Sequence, residues 1–159
     1  MRKQFVARFA VYAILFFTVV LVLTDEHLRP LLVGYSVASA AFLQVLGFSV
    51  ERIGTVLSLG GFSVNVAGQC SALFEVGLLV AATLAYPAAP GQRFRGILFG
   101  TGALLLVNLL RIASLLLIGS VDADWFKWAH LYVCQGLLVA CVAAIWLFWI
   151  GRLHEVRAT

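Results

Sequence analysis

Apolar residues gather into five runs, Phe5 to Leu23, Leu31 to Val50, Ser71 to Tyr86, Ile97 to Gly119 and His130 to Ile150. A span of the bilayer's hydrocarbon core takes about 20 predominantly apolar residues, so these runs predict membrane helices. The first is longer than the apolar stretch of a signal peptide, and "TDEHLRP" follows it instead of a small-x-small cleavage site, so it reads as a retained helix. Between the second and third runs the period changes from helical to two. In "TVLSLGGFSVNVAG", Phe62, Val64 and Val66 alternate with Ser63 and Asn65, and Gly60-Gly61 supplies a two-residue turn. A hairpin inside hydrocarbon would leave its edges unpaired, so it belongs at the membrane surface, against helices. The fold expected is an all-α integral membrane protein with four to five membrane helices and a short extracytoplasmic β-hairpin just before the helix that Cys70 opens. With no repeat, linker or low-complexity tract, residues 1–159 read as a single domain.

Composition agrees with that class. The chain is 63% hydrophobic and 11% charged, with a mean hydropathy of +1.04, far more apolar than a soluble domain. The net charge of +4 does not mark a nucleic-acid-binding face, because 7 of the 11 Lys and Arg lie beside apolar runs, in Met1 to Arg8, Gly91 to Arg95 and Gly151 to Arg157. That is the positive-inside pattern. It places "PGQRFRG" and the C-terminal tail in the cytoplasm, and "SVDADWFKW" outside with the hairpin. A cytoplasmic N-terminus then demands an odd number of crossings before the hairpin, where two runs stand. Ser36, Ser39 and Gln44 fall in one arc of a helical wheel, so Leu31 to Val50 reads as an interfacial or re-entrant helix beside four full crossings. Trp125, Trp128 and Tyr132 read as an aromatic belt.

One cation interrupts this picture. Arg111 lies in the run Ile97 to Gly119, whose other polar residues are Thr101, Asn108 and Ser114, at a depth where an unpartnered charge costs several kcal/mol. Taking about 1.5 Å per residue, it is roughly 21 Å from Ile97 and 12 Å from Gly119. It therefore sits nearer the outer surface, the side on which Cys70 and His130 begin their helices. A cation and a helix N-terminus both lower a thiol's pKa and make it a nucleophile, and a histidine exchanges protons near neutral pH. Cys70, Arg111 and His130 are thus candidate catalytic residues. A bland account covers the same residues: Glu75, five positions into the Cys70 helix, pairs with Arg111, and His130 is an interface residue, which would suit a non-catalytic membrane assembly or helper protein. Cys134 and Cys141 read as small hydrophobes. Three cysteines in this spacing make neither a disulfide framework nor a metal site, and no cofactor is called for.

The segments "GTVLSLGGFSVNVAGQC", "LLVAATLAYPA", "VNLLRIASLLLIG" and "WFKWAHLYV" together resemble the exosortase/archaeosortase family of membrane cysteine transpeptidases, and within it the short exosortase H branch, over roughly Gly54 to Ile150. The family pattern is a Cys at a helix start, an Asn-x-x-Arg in the next helix and a His opening the one after. Here these fall on Cys70, on Asn108 with Arg111, and on His130. The resemblance implies a protease/transpeptidase of the bacterial inner membrane whose active site faces the extracytoplasmic side. Its partners, besides the lipid bilayer, would be secreted substrate proteins that end in a sorting signal of short motif, transmembrane helix and basic cluster. It also implies that Cys70 forms a thioester, His130 is the general acid and base, and Arg111 stabilises the thiolate or oxyanion. Asn108, one turn before Arg111 on the same face, would orient it. One position departs from the family: the residue two after the cysteine is commonly Gly and here is Ala72, whose methyl would narrow the approach to Cys70.

Overall fold

A computed structural model describes residues 2–158. In chain order it contains α1 (Arg2–Val22), α2 (Asp25–Val45), β1 (Glu51–Ile53), β2 (Val56–Leu59), β3 (Phe62–Asn65), a 3₁₀ turn (Gly68–Cys70), α3 (Leu73–Ala85), α4 (Pro90–Val121), α5 (Ala123–Trp128), a π-helical turn (Ala129–Val133) and α6 (Cys134–Ala158). The protein is an all-α membrane protein carrying one small sheet. Among the described residues, four helical segments are long and apolar enough to cross a bilayer: Lys3–Val22, Glu26–Val45, Pro90–Val121 and Ala123–His154.

That set differs from the sequence expectation at two places. Leu73–Ala85 has only 13 residues and falls short of a full span, whereas α2 qualifies by length and composition. The polar arc of α2 also has another cause. Ser36 and Ser39 are fully buried, Ser36 Oγ donates to the Gly54 carbonyl at 2.9 Å, and Gln44 Nε2 donates to the Val50 carbonyl at 3.0 Å. Ser36 and Gln44 thus serve the protein's own backbone, and Ser39 is buried inside it. The second difference is that the expected hairpin is a three-stranded antiparallel sheet of order β1-β2-β3. Gly60 and Gly61 form the anticipated two-residue turn, both with positive φ, and Gly54, also at positive φ, turns the chain between β1 and β2.

The chain divides into two compact units, each assembled from separate stretches of sequence. The first comprises residues 1–22, 73–105 and 138–159. In it α1 lies along α3, where Gly77 leaves room for the Phe16 ring. Gly96 likewise receives Trp149, and Gly100 receives Leu79. Small residues do this work in membranes because helix association there rests on close packing and not on a hydrophobic drive. Leu79, Leu104 and Val142 form the core, with Cys141 and Ile145 against it. Cys141 is therefore packed as a small hydrophobe. Tyr86 sets its ring edge to face against Trp146 and Trp149 and meets His154 Nε2 at 3.2 Å through its hydroxyl.

The second unit comprises residues 23–72 and 106–137. Here α2 packs on β1, β2 and the 3₁₀ turn. Leu57, fully buried, anchors the inner face of β2, while hydroxyl and amide pairs tie the exposed side: Ser58 to Ser63 at 2.8 Å and Thr55 to Asn65 at 2.8 Å. Phe62 lies over Gly119, where there is no space for a Cβ, and packs edge to face on Phe126 with ring centroids 5.1 Å apart. Trp125, Trp128 and Tyr132 stay exposed as a chain of touching rings.

Gly119→Ala should therefore push the Phe62 ring off α4 and lower stability by about 1–3 kcal/mol, the usual cost of overpacking. Gly102→Ala, on the same helix with open space around it, should leave stability unchanged or raise it slightly. Thermal unfolding of the two variants in one detergent checks this.

Candidate active site

The site is built on the segment that carries β3 into α3. After Asn65 the backbone stays extended to Ala67 and then closes into the 3₁₀ turn. Cys70 N–H donates to the Ala67 carbonyl at 2.8 Å and Ser71 N–H to the Gly68 carbonyl at 3.1 Å. Ser71, itself buried, adds an Oγ bond to the Gly68 carbonyl at 2.6 Å, and its own carbonyl accepts from the Tyr35 hydroxyl of α2 at 3.4 Å. Cys70 is thereby held at the end of a tight, internally bonded turn with only 8% of its surface exposed.

This corrects the expectation that Cys70 opens a helix. α3 begins three residues later, at Leu73, and Ala72 intervenes with φ 55°. That is left-handed backbone, costing a side-chain-bearing residue roughly 1–2 kcal/mol and glycine almost nothing. A Gly at this position, as the family resemblance leads one to expect, would take that angle without strain. Because helix-dipole effects fade within the first turn, the case for a reactive Cys70 rests on what surrounds it.

One face of α4 brings Asn108 to Cys70 and also carries Arg111. Asn108 is fully buried, and its Nδ2 donates to the Cys70 carbonyl at 2.6 Å. Its Oδ1 accepts a long contact of 3.5 Å from Arg111 Nη1, one turn further on. Asn108 thus does more than orient Arg111, because it also clamps the Cys70 main chain. Arg111 is buried, 8% exposed, and its Nε has no hydrogen-bond partner among the described residues. From the other side comes His130, in the π-helical turn and not at a helix start. Its ring stacks on Phe126 with centroids 5.6 Å apart and planes 8° from parallel. Its Nδ1 is buried and, among the described residues, without a hydrogen-bond partner.

Cys70 and His130 line one cavity of about 250 Å³. Its walls are the β3 strand and its continuation through Val66, Ala67 and Gln69, together with Ile112 and Leu115 of α4 and Phe126 of α5. His130, 60 positions from Cys70, so meets it at one cavity within a single compact unit, whereas Arg111 does not line that cavity and reaches the site through Asn108. Cys134 is half-buried and does not line this cavity. Glu75, in the first turn of α3 and buried, belongs to the other unit. Among the described residues no three His, Cys, Asp or Glu gather into a metal-binding group. Sequence reasoning passed over Phe126, although its place four residues before His130 on one helix face was a usable signal. It also passed over Tyr35, for which the sequence gives no cue.

Compared with known proteins, residues 2–154 match the family model described as transmembrane exosortase. The chain belongs to the transmembrane exosortase family. No curated protein and no solved structure matches it. Membership in the family, with the apolar helices described above, makes this exosortase a multi-pass membrane protein of the sorting-signal-processing kind, a cysteine transpeptidase at the level of class.

Ala72→Gly should relieve the left-handed strain at the site. The flexible unfolded chain offsets part of the gain, so the net stabilisation should be about 0.5–1 kcal/mol, read as a raised thermal unfolding midpoint. Ala67→Gly, in extended backbone, should give none.

Proposed function

We propose that this exosortase cleaves the C-terminal sorting signal of exported proteins, comprising a short motif, a transmembrane helix and a basic cluster, by covalent catalysis at Cys70. The observation that carries this reading is the shared cavity. Cys70 and His130 line it together, and Asn108 holds the Cys70 carbonyl while contacting Arg111.

In this mechanism His130 takes the proton from the Cys70 thiol, and the thiolate attacks the scissile carbonyl carbon. Collapse of the tetrahedral intermediate breaks the C–N bond, and His130 returns the proton to the departing amine. The upstream part of the substrate is left as a thioester on Cys70, which an acceptor nucleophile or water then resolves. Arg111 supplies positive charge where thiolate and oxyanion develop, in a site largely closed to water, where such charge acts strongly. The stack of Phe126 on His130 limits the orientations of the imidazole. The family resemblance implies the bacterial inner membrane, and the loop charges favour a site on its extracytoplasmic side.

Three variants test the chemistry in a strain producing a precursor with such a signal. Cys70→Ala should abolish cleavage, and full-length precursor should accumulate in the membrane. Arg111→Lys should insert and fold but process little, because a point charge does not reproduce the planar five-donor fork. Cys134→Ala should retain cleavage. Normal processing by Cys70→Ala would reverse the reading in favour of a non-catalytic helper.

Orientation has its own measurement. A membrane-impermeant thiol reagent applied from outside should label single cysteines placed at residues 120–124 and spare those at 91–95. The opposite pattern would put the site in the cytoplasm.

A further inference from the structure

β3 is an edge strand. It pairs with β2 on one side, and among the described residues no strand pairs with the other. The register and the bond from Val66 N–H to the Thr55 carbonyl at 3.0 Å fix which way its main chain points. In an antiparallel ladder, hydrogen-bonded pairs alternate with non-bonded ones. Val66, Val64 and Phe62 therefore spend their N–H and C=O groups on β2, and those of Ser63 and Asn65 lie along the free edge. Both residues are exposed, and among the described residues no hydrogen bond reaches their main-chain groups. Unpaired edges of this kind are templates for another extended chain.

This edge also leads to the chemistry. Ser63, Val64, Asn65, Val66 and Ala67 line the same cavity as Cys70 and His130, and the strand reaches Cys70 five residues after its last member. Opposite stand Ile112, Leu115 and Phe126, an apolar wall suited to the side chains of a peptide whose main chain is already paired.

We propose that the free edge of β3 docks the substrate: an extended segment spanning the cleavage motif adds as a fourth strand, bonded to the main chain of Ser63 and Asn65, which lays its scissile carbonyl beside Cys70. This rests on Cys70 acting as the nucleophile. Main-chain pairing brings the motif in without demanding particular side chains, and selection falls to the apolar wall. An extended strand also exposes the peptide bond that a folded helix would shield, so the segment must leave helical conformation to be cut.

Proline tests the edge, because it deletes one N–H and is tolerated where that N–H faces outward. Ser63→Pro and Asn65→Pro should keep membrane level, thermal midpoint and alkylation of Cys70 by iodoacetamide, yet process a co-expressed precursor about tenfold more slowly, the effect of losing one main-chain hydrogen bond to the bound peptide. Arg52→Pro, on the outward-facing position of the opposite edge in β1, should process normally. If the two β3 variants process like the parent chain while Cys70→Ala does not, the edge is not the docking site and the cysteine mechanism stands. If Cys70→Ala also processes, both fall. Should proline unfold the sheet, disulfide trapping decides. Ser63→Cys, in a chain with its three native cysteines changed to Ala, should crosslink to single cysteines walked through the precursor's motif at every second position, the period of a paired strand. Trapping at no position, or equally at all, overturns the proposal.

Discussion

One hydrogen bond ties the chemistry of this protein to its fold. Asn108 Nδ2 reaches the Cys70 carbonyl at 2.6 Å across 38 residues of sequence, with the amide fully buried in an apolar helix. A primary amide in such surroundings costs on the order of 1–3 kcal/mol when left unpaired, so the turn that presents Cys70 satisfies a group α4 could not otherwise bury. The dependence is mutual. Remove the amide and the 3₁₀ turn loses its tie to α4, keeping only that of Tyr35 from α2; displace the turn and Asn108 loses the acceptor of its buried N–H.

The sheet supports that arrangement from the other side. Three strands of three or four residues are below what holds a sheet together alone in water. This one is sustained by α2, through Ser36 on the Gly54 carbonyl, and by Phe62 seated on Gly119 and against Phe126. Phe126 in turn stacks on His130, so an aromatic chain runs from strand to imidazole. The cavity wall and the histidine are thus positioned by one set of contacts.

Much of this was legible in the residues. Apolar runs located the long helices, although α4 begins at Pro90, ahead of the run that starts at Ile97, at a first-turn position that needs no N–H. The Gly60-Gly61 turn was readable because alternation flanks it. β1 was not, since Glu51, Arg52 and Ile53 are all exposed and show no in-out pattern. The start of α2 was hidden by Pro30, which reads as a helix boundary yet sits in the second turn of a helix whose N-terminus is held by His27 Nδ1 contacting Thr24 Oγ1 at 2.7 Å. At the site, residue types and order pointed to Cys70, Arg111 and His130 as candidates, and the family resemblance supplied the same positions. What no spacing reveals is a contact between distant positions, such as Asn108 with Cys70, or a backbone angle, such as that of Ala72.

The π-helical turn at Ala129–Val133 joins α5 to α6 without a break in the helical path. A π turn holds one residue more than the α turn it replaces, and one residue in an α-helix is about 100° of rotation. The helical phase therefore shifts at this turn. The wider turn falls on His130 itself, and such local widenings of a helix are found frequently where a protein does its work.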